Sequence, residues 1–263
     1  MLNFWEFCNE REAIRVRREA GQPFPWTDNE ILCNYRFTNI NREHDKGTVL
    51  LKQAIAQSAA CRSSYENVIH LVSIYRFLGS HLNNLTLADV APEDRNATML
   101  ERYNAGHDMM KMTAYQINVP LGKSPITLAM SLWPTLPAQI NKLPKPTGML
   151  SVRAIIGQYT KDIGYHSCWF HGMEIAKDLS MLFARQYDPQ SMIALGPGAI
   201  KGIQRLKYDD EDNYSALCRL QNESFAAYPI PLTLSTVEHA LCEYNKYCEA
   251  YEGRSTRAYK RIL

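Results

Sequence analysis

Val68-Ile69-His70-Leu71-Val72-Ser73-Ile74-Tyr75-Arg76-Phe77-Leu78 is the stretch whose reading decides the fold. Val68, Leu71, Val72, Ile74, Tyr75, Phe77 and Leu78 supply core positions at helical spacing, and Leu50, Leu51 and Ile55 extend the pattern upstream. The whole of 48–81 reads as helix, with a break at 58–64 that separates two helices. Strict alternation of apolar and polar residues, the mark of a half-buried strand, is scarce along the entire chain. The expectation is a mainly α, multi-helical protein.

Working outward toward the N-terminus, 4–21 reads as a helix with Phe4, Trp5, Cys8 and Ile14 on its apolar side. Arg11, Arg15 and Arg18 recur at i, i+4, i+7 and share a face. Glu10, Glu12 and Glu19 are placed to pair with them, so this face reads either as a neutralised, solvated one or as an anion-binding one. Gln22-Pro-Phe-Pro-Trp26 must be extended, because proline fixes its own φ and biases the residue before it away from helix. Thr27 or Asp28 is then the expected cap of a helix that carries Ile31, Leu32, Tyr35 and Phe37. That helix runs into residues 36–46, the densest polar cluster in the chain. Asn39, Arg42, Glu43, His44 and Asp45 crowd together there while the apolar face nearly vanishes, which suits a site better than a helix end.

Toward the C-terminus, 85–100 holds turn signals and one short helix, with Thr86 as its cap. Residues 103–117 are ambiguous, and the methionine-rich run 108–112 reads as core packing. Six prolines between 119 and 147 break up regular structure, leaving room for one helix at 127–133. Gly122-Lys123-Ser124 lacks the upstream glycine and preceding strand of a phosphate loop. Helices follow at 149–158 and 167–183, joined at 162–166. A hairpin of this kind can sit on a nucleic-acid backbone through the N–H groups of its turn. Residues 207–213 form an acidic loop, read as solvated, with magnesium or calcium ligation as the minority reading. The last helix spans 235–251, and a basic tail with an aromatic inside it follows at 253–261.

Length and composition set the bounds. The chain has 263 residues, 46% of them hydrophobic and 21% charged, enough for one large helical domain with a substantial core. Sub-lobes at 1–145 and 146–263 are the expected division within it. A net charge of +2 excludes a general polycation, so any nucleic-acid contact rests on local patches. Seven cysteines at irregular spacing read as buried free thiols in a reducing cytoplasm, not as a zinc or disulfide framework. No run is apolar enough to span a bilayer, and the charged start is no signal peptide.

Ile193-Ala-Leu-Gly-Pro-Gly-Ala-Ile-Lys-Gly-Ile-Gln-Arg205 reads either as a plain turn before a helix, the commoner role of Gly-Pro-Gly, or as an anion site. Gly196 and Gly198 permit positive φ and close approach, and the helix that follows aims its free N–H groups at a potential anion. Lys201 and Arg205 stand one turn apart behind it.

Several blocks, taken in order, resemble a known group. They are Phe4-Trp5; Glu10-Arg-Glu-Ala-Ile-Arg15 with Arg18 and Gly21; Pro25-Trp-Thr27; Tyr35-Arg-Phe-Thr-Asn39 with Arg42-Glu43 and Asp45; Gly196-Pro-Gly-Ala199 with Gly202; and Glu238-His239, Leu241-Cys-Glu243, Lys246-Tyr247 and Gly253-Arg254. Together they resemble the amino acid:DNA transferases, also described as α-glutamyl/putrescinyl thymine pyrophosphorylases, which are close to the helical domain of 5-hydroxymethyluracil DNA kinases. The match is good at both ends and in the last third, and loose across 48–145.

The resemblance implies a helix-hairpin-helix, DNA-glycosylase-like helical fold and a phage enzyme of the host cytoplasm. Its substrate would be double-stranded DNA carrying modified thymine. The reaction would displace pyrophosphate from 5-pyrophosphoryloxymethyluracil and join an amino acid or polyamine to the methylene carbon, without an obligatory cofactor and with a divalent metal as an option. Catalytic candidates are Asn39, Arg42, Asp45, Glu238, His239 and Glu243. Candidates for pyrophosphate or DNA binding are Arg11, Arg15, Arg18, Trp26, Tyr35, Gly196, Gly198, Lys201, Lys246 and Arg254. The departing charge needs arginines and helix N-termini, the amine needs a base (His44 is a further candidate), and a flipped base needs an aromatic such as Trp26 or Tyr35. The hairpin would be the Ile163-Gly164 turn, where Tyr165-His-Ser-Cys168 departs from the glycosylase pattern; no catalytic Val-Asp-Thr segment is present either. The absence of a Walker A motif weakens a kinase reading. The alternative reading is a non-catalytic DNA-binding partner of the kinase.

Overall fold

The computed structural model describes residues 1–79, 82–107 and 120–254. The methionine-rich run, most of the ambiguous 103–117 stretch and the basic tail past Arg254 lie outside the described residues. In chain order the helices are α1 (Phe4–Glu19), α2 (Glu30–Asn34), α3 (Lys46–Gln57), α4 (Ala59–Ser63), α5 (Tyr65–Leu78), α6 (Leu82–Leu85), α7 (Arg95–Asn104), α8 (Pro125–Ser131), α9 (Thr135–Asn141), α10 (Met149–Asp162), α11 (Trp169–Leu182), α12 (Pro197–Gln204), α13 (Asn213–Ala227) and α14 (Leu234–Tyr251). No strand forms among the described residues; Thr147 and Tyr187 meet in an isolated parallel bridge. The mainly α expectation holds.

The chain divides into two compact units: Met1–Asp45 with Ala194–Leu263, and Lys46–Ile193. The first is built from the two ends of the chain. Its central helix is α14, which packs on α1, α2, α12 and α13 and is buried on most of its circumference. Phe4, Phe7, Phe37, Tyr244 and Tyr247 form one aromatic cluster there. α1 starts with a capping box, in which Asn3 accepts from the Glu6 N–H and Glu6 accepts from the Asn3 N–H.

The second unit is organised around α5 and α11, whose residues 67–75 and 171–180 are buried throughout. The expected break at 58–64 is real: Ser58 caps α4 and Ser64 caps α5. α10 and α11 form a tight helical hairpin. Gly164 (φ +79) ends α10, its N–H bonding the Lys161 carbonyl and the Tyr165 N–H bonding that of Thr160.

Local expectations differ from the structure in four places. Asn29, not Thr27 or Asp28, caps α2 by accepting from the Leu32 N–H. α2 stops at Asn34, and the chain runs extended until a short 3-10 turn at Arg42–His44, with Phe37 reaching the aromatic cluster from the extended chain. Thr86 lies inside a 3-10 turn rather than capping it, and α7 follows where turns were expected. In the proline-rich stretch α9 forms as well as α8, since Pro137 falls in the first turn of α9, where its missing N–H costs no helical bond.

Candidate functional site

A polar cluster assembles in the end-built unit, around the extended segment 35–45. His239 and Glu243 stand one turn apart on α14, so they face the same side. Both reach this segment: the Thr38 N–H donates to Glu243 Oε2 at 3.0 Å, and Thr38 Oγ1 shares a hydrogen with His239 Nε2 at 2.8 Å. Lys246 Nζ donates to Glu243 Oε2 at 3.2 Å and lies 5.0 Å from the centre of the Phe37 ring. α1 contributes Arg11, which occupies the apolar side of that helix with Phe7, Cys8 and Ile14. Its Nη2 donates to the carbonyl oxygens of Phe37 and Thr38 at 3.0 and 3.1 Å.

The segment then folds back on itself. The Asn39 N–H donates to Asp45 Oδ1 at 3.2 Å and Asn39 Nδ2 to the His44 carbonyl at 2.9 Å. This closes a loop around the turn that holds Arg42. Arg11, Arg42, Glu238, His239 and Glu243 are each no more than 9% exposed. Charged side chains at such burial require partners, and the backbone of Phe37 and Thr38 and the Thr38 hydroxyl provide them for Arg11, His239 and Glu243. Among the described residues, no group of three or more His, Cys, Asp or Glu is arranged to hold a metal ion.

The Gly196-Pro-Gly turn does not behave as an open anion cradle. Gly196 (φ −76) is the N-cap of α12 and Gly198 lies inside the helix, and neither has positive φ. The Gly196 N–H donates to Glu238 Oε1 at 3.1 Å, so a carboxylate of the protein already stands at this helix start. The glycines serve close packing instead. A Cβ at Gly198 would meet Cys242 Sγ at 2.8 Å, and one at Gly202 would overlap the Leu241 carbonyl oxygen. α12 therefore lies against α14, with Gly196 beside Glu238 and Arg205 bonded to Asn245 and Glu252.

Other predicted residues sit elsewhere in this unit. Arg15, on the same helical face as Arg11 by spacing, pairs with Glu12 and Glu19. Burial pushes the Glu12 carboxyl up, but the Arg15 guanidinium, His44 and the Tyr228 hydroxyl outweigh it and hold it below the usual carboxylate range. Arg18 is exposed. Lys201 faces Glu249 at 3.6 Å, and Arg254 pairs with Glu252. These pairs lie ten or more residues along α14 from His239, about 15 Å of helix rise. Tyr35 is half-buried at the start of the segment. Trp26 donates from Nε1 to the Gln22 carbonyl and lines a separate groove of about 490 Å³ with Glu10, Arg17 and Asn29.

Thr38 does not stand out in the sequence, yet it joins the segment to both His239 and Glu243. Its signal is its place inside the Tyr35–Asn39 block of the resemblance, since a lone threonine carries none of the charge or periodicity that marks a site. The acidic loop is committed locally: Glu211 pairs with Arg219, Asp212 caps α13, and Asp209 and Asp210 are exposed. All seven cysteines are free thiols. Among the described residues, no helix is long and apolar enough to cross a membrane.

The geometry defines an all-helical protein with a buried acid, base and arginine cluster drawn from both ends of its chain. Over residues 1–256 the sequence matches the family described as "5-hmdU DNA kinase, helical domain", and the chain belongs to that family. The membership links it to hydroxymethyluracil DNA modification. Comparison with curated proteins and with solved structures finds no match.

Proposed function

We propose that the protein is a transferase of hydroxymethyluracil DNA modification. It displaces pyrophosphate from 5-pyrophosphoryloxymethyluracil in DNA and joins an amino acid or polyamine to the methylene carbon. The observation that carries this reading is the pairing of His239 and Glu243 on Thr38, beside the Asn39–Asp45 loop and Arg11. The carbon–oxygen bond to pyrophosphate breaks as the amine nitrogen attacks the carbon, and the proton lost from nitrogen goes to a base. His239, oriented through its hydrogen bond to Thr38, supplies that base, and Glu243 and Asp45 set the local field. Arg42 and Arg11 offset the charge on the departing pyrophosphate. Gly196 has a positioning role, through Glu238, rather than an anion-binding one.

The test is direct. Purified protein, DNA carrying 5-pyrophosphoryloxymethyluracil and a mixture of amines should release pyrophosphate and give nucleosides of increased mass. His239→Gln should lower kcat at least about a hundredfold, the usual scale for a lost general base. Unchanged nucleoside masses with the wild-type protein would sink the proposal.

A second reading, a non-catalytic DNA-binding partner of a 5-hydroxymethyluracil DNA kinase, draws on one observation. Glu238 and Arg11 bond to the protein's own backbone and so act as struts. Salt-dependent DNA binding without turnover would select it.

A further inference from the structure

The α10–α11 hairpin presents a surface of cations and open aromatic rings. Arg153, Gly157 and Lys161 follow one another at i, i+4, i+8 along α10 and form one row. Trp169, the first residue of α11, lies on that row. A Cβ at Gly157 would come within 2.5 Å of its ring, and the Arg153 guanidinium stands 4.8 Å from the ring centre. Despite this packing the Trp169 side of the hairpin is open: Trp169 is 39% exposed and Phe170 42%. Lys161 and His166 are exposed as well. Lys123 reaches the turn from the chain before α8, donating from Nζ to the Ile163 carbonyl at 2.6 Å above the Tyr165 ring. The nearby carboxylate of Asp162 is engaged by Gln158.

Cations interleaved with open aromatic rings match a nucleic-acid strand, whose phosphates seek the charges and whose bases offer a flat face to the rings. Net charge agrees. Residues 46–193 carry 14 Lys and Arg against 10 Asp and Glu, whereas the end-built unit carries 15 against 17. The turn's own N–H groups at Gly164 and Tyr165 are already bonded to α10 carbonyls, so contact falls to the side chains. We propose that Arg153, Lys161, Lys123 and Trp169 hold a DNA strand, with phosphates on the cations and one nucleotide against the indole. The assignment rests on DNA being the substrate, as in the function proposed above.

The full-length protein is titrated into labelled single-stranded and duplex DNA at several salt concentrations. The Arg153→Gln/Lys161→Gln variant should bind about tenfold more weakly, with a salt slope lower by about two, one for each phosphate it no longer neutralises. On modified DNA its KM should rise while kcat at saturating DNA stays unchanged. Quenching of tryptophan fluorescence by an oligothymidylate should disappear in Trp169→Phe, which keeps a ring against Gly157. Should the double variant fold less well, Lys161→Glu at its exposed site should show the same direction. Wild-type affinity and salt slope in the variants would overturn this surface and leave the transferase reading intact. Failure of the wild-type protein to bind any DNA would overturn both.

Discussion

Arg95 is completely buried in the second unit, and no carboxylate neutralises it at hydrogen-bond distance among the described residues. It donates instead to the carbonyls of Leu87, Val90 and Asn67, and it lies 3.3 Å from His70 Nδ1. Burial, and then the Arg95 charge, push His70 from its ordinary 6.5 down to about 3. With Nδ1 facing a donor, the ring proton sits on Nε2, and the imidazole stacks on Trp133. The unfolded chain therefore binds a proton that the folded one refuses between pH 6.5 and about 3. Stability through this group rises with pH across that window and is lost as pH falls through it. Melting temperatures at about pH 7 and about pH 4.5, on either side of the ordinary histidine value, should differ less in His70→Gln than in the wild type; an equal difference would remove His70 as the cause. Neither partner is legible as one of a pair, because their sequence separation carries no periodic signal. Arg11 shows the same limit: its spacing to Arg15 and Arg18 marks a shared face, but burial against Phe37 separates its role from theirs.

At the scale of elements, the Gly-Pro-Gly stretch shows how one signal supports two physical readings. Glycines before a helix permit positive φ and also permit close packing, and the local sequence does not distinguish them. The structure uses the second. α12 approaches α14 closely enough that Gly202→Ala drives a methyl into the Leu241 carbonyl. Backbone cannot swing aside as a side chain can, so this substitution should lower stability by about 1–3 kcal/mol. Denaturant unfolding would measure it, and a neutral effect would show that the helices can separate without cost. Because Glu238 hangs from the same helix pair, activity in Gly202→Ala should fall as well. The helices themselves are largely legible: α1, α5, α10, α11 and α14 follow from apolar spacing, since a stripe at helical period must find a surface to cover. The short ones, α2, α7 and α9, escape a sequence reading at their ends, where single capping bonds decide and composition does not.

At the scale of the molecule, the main event is that Met1–Asp45 and Ala194–Leu263 form one unit around α14, with the intervening Lys46–Ile193 compact in itself. Removal of residues 234–263 takes away the helix that α1, α2, α12 and α13 all pack on. The truncated protein should lose the helical signal of the end-built unit and its His239–Glu243 pair, while limited proteolysis still yields a protected fragment near 46–193. Loss of protection across that fragment too would show that the two units unfold together. The sequence by itself determined the helical class, the free thiols and the set of polar residues at the two ends of the chain, because composition and periodicity are local properties. Only the tertiary structure decided which of those residues meet. Contacts such as Thr38 to His239, 201 residues apart, arise when separate apolar stripes choose a common partner. That choice placed Glu238 at the start of α12, where the sequence had suggested an external anion, and set Trp169 open between Arg153 and Lys161.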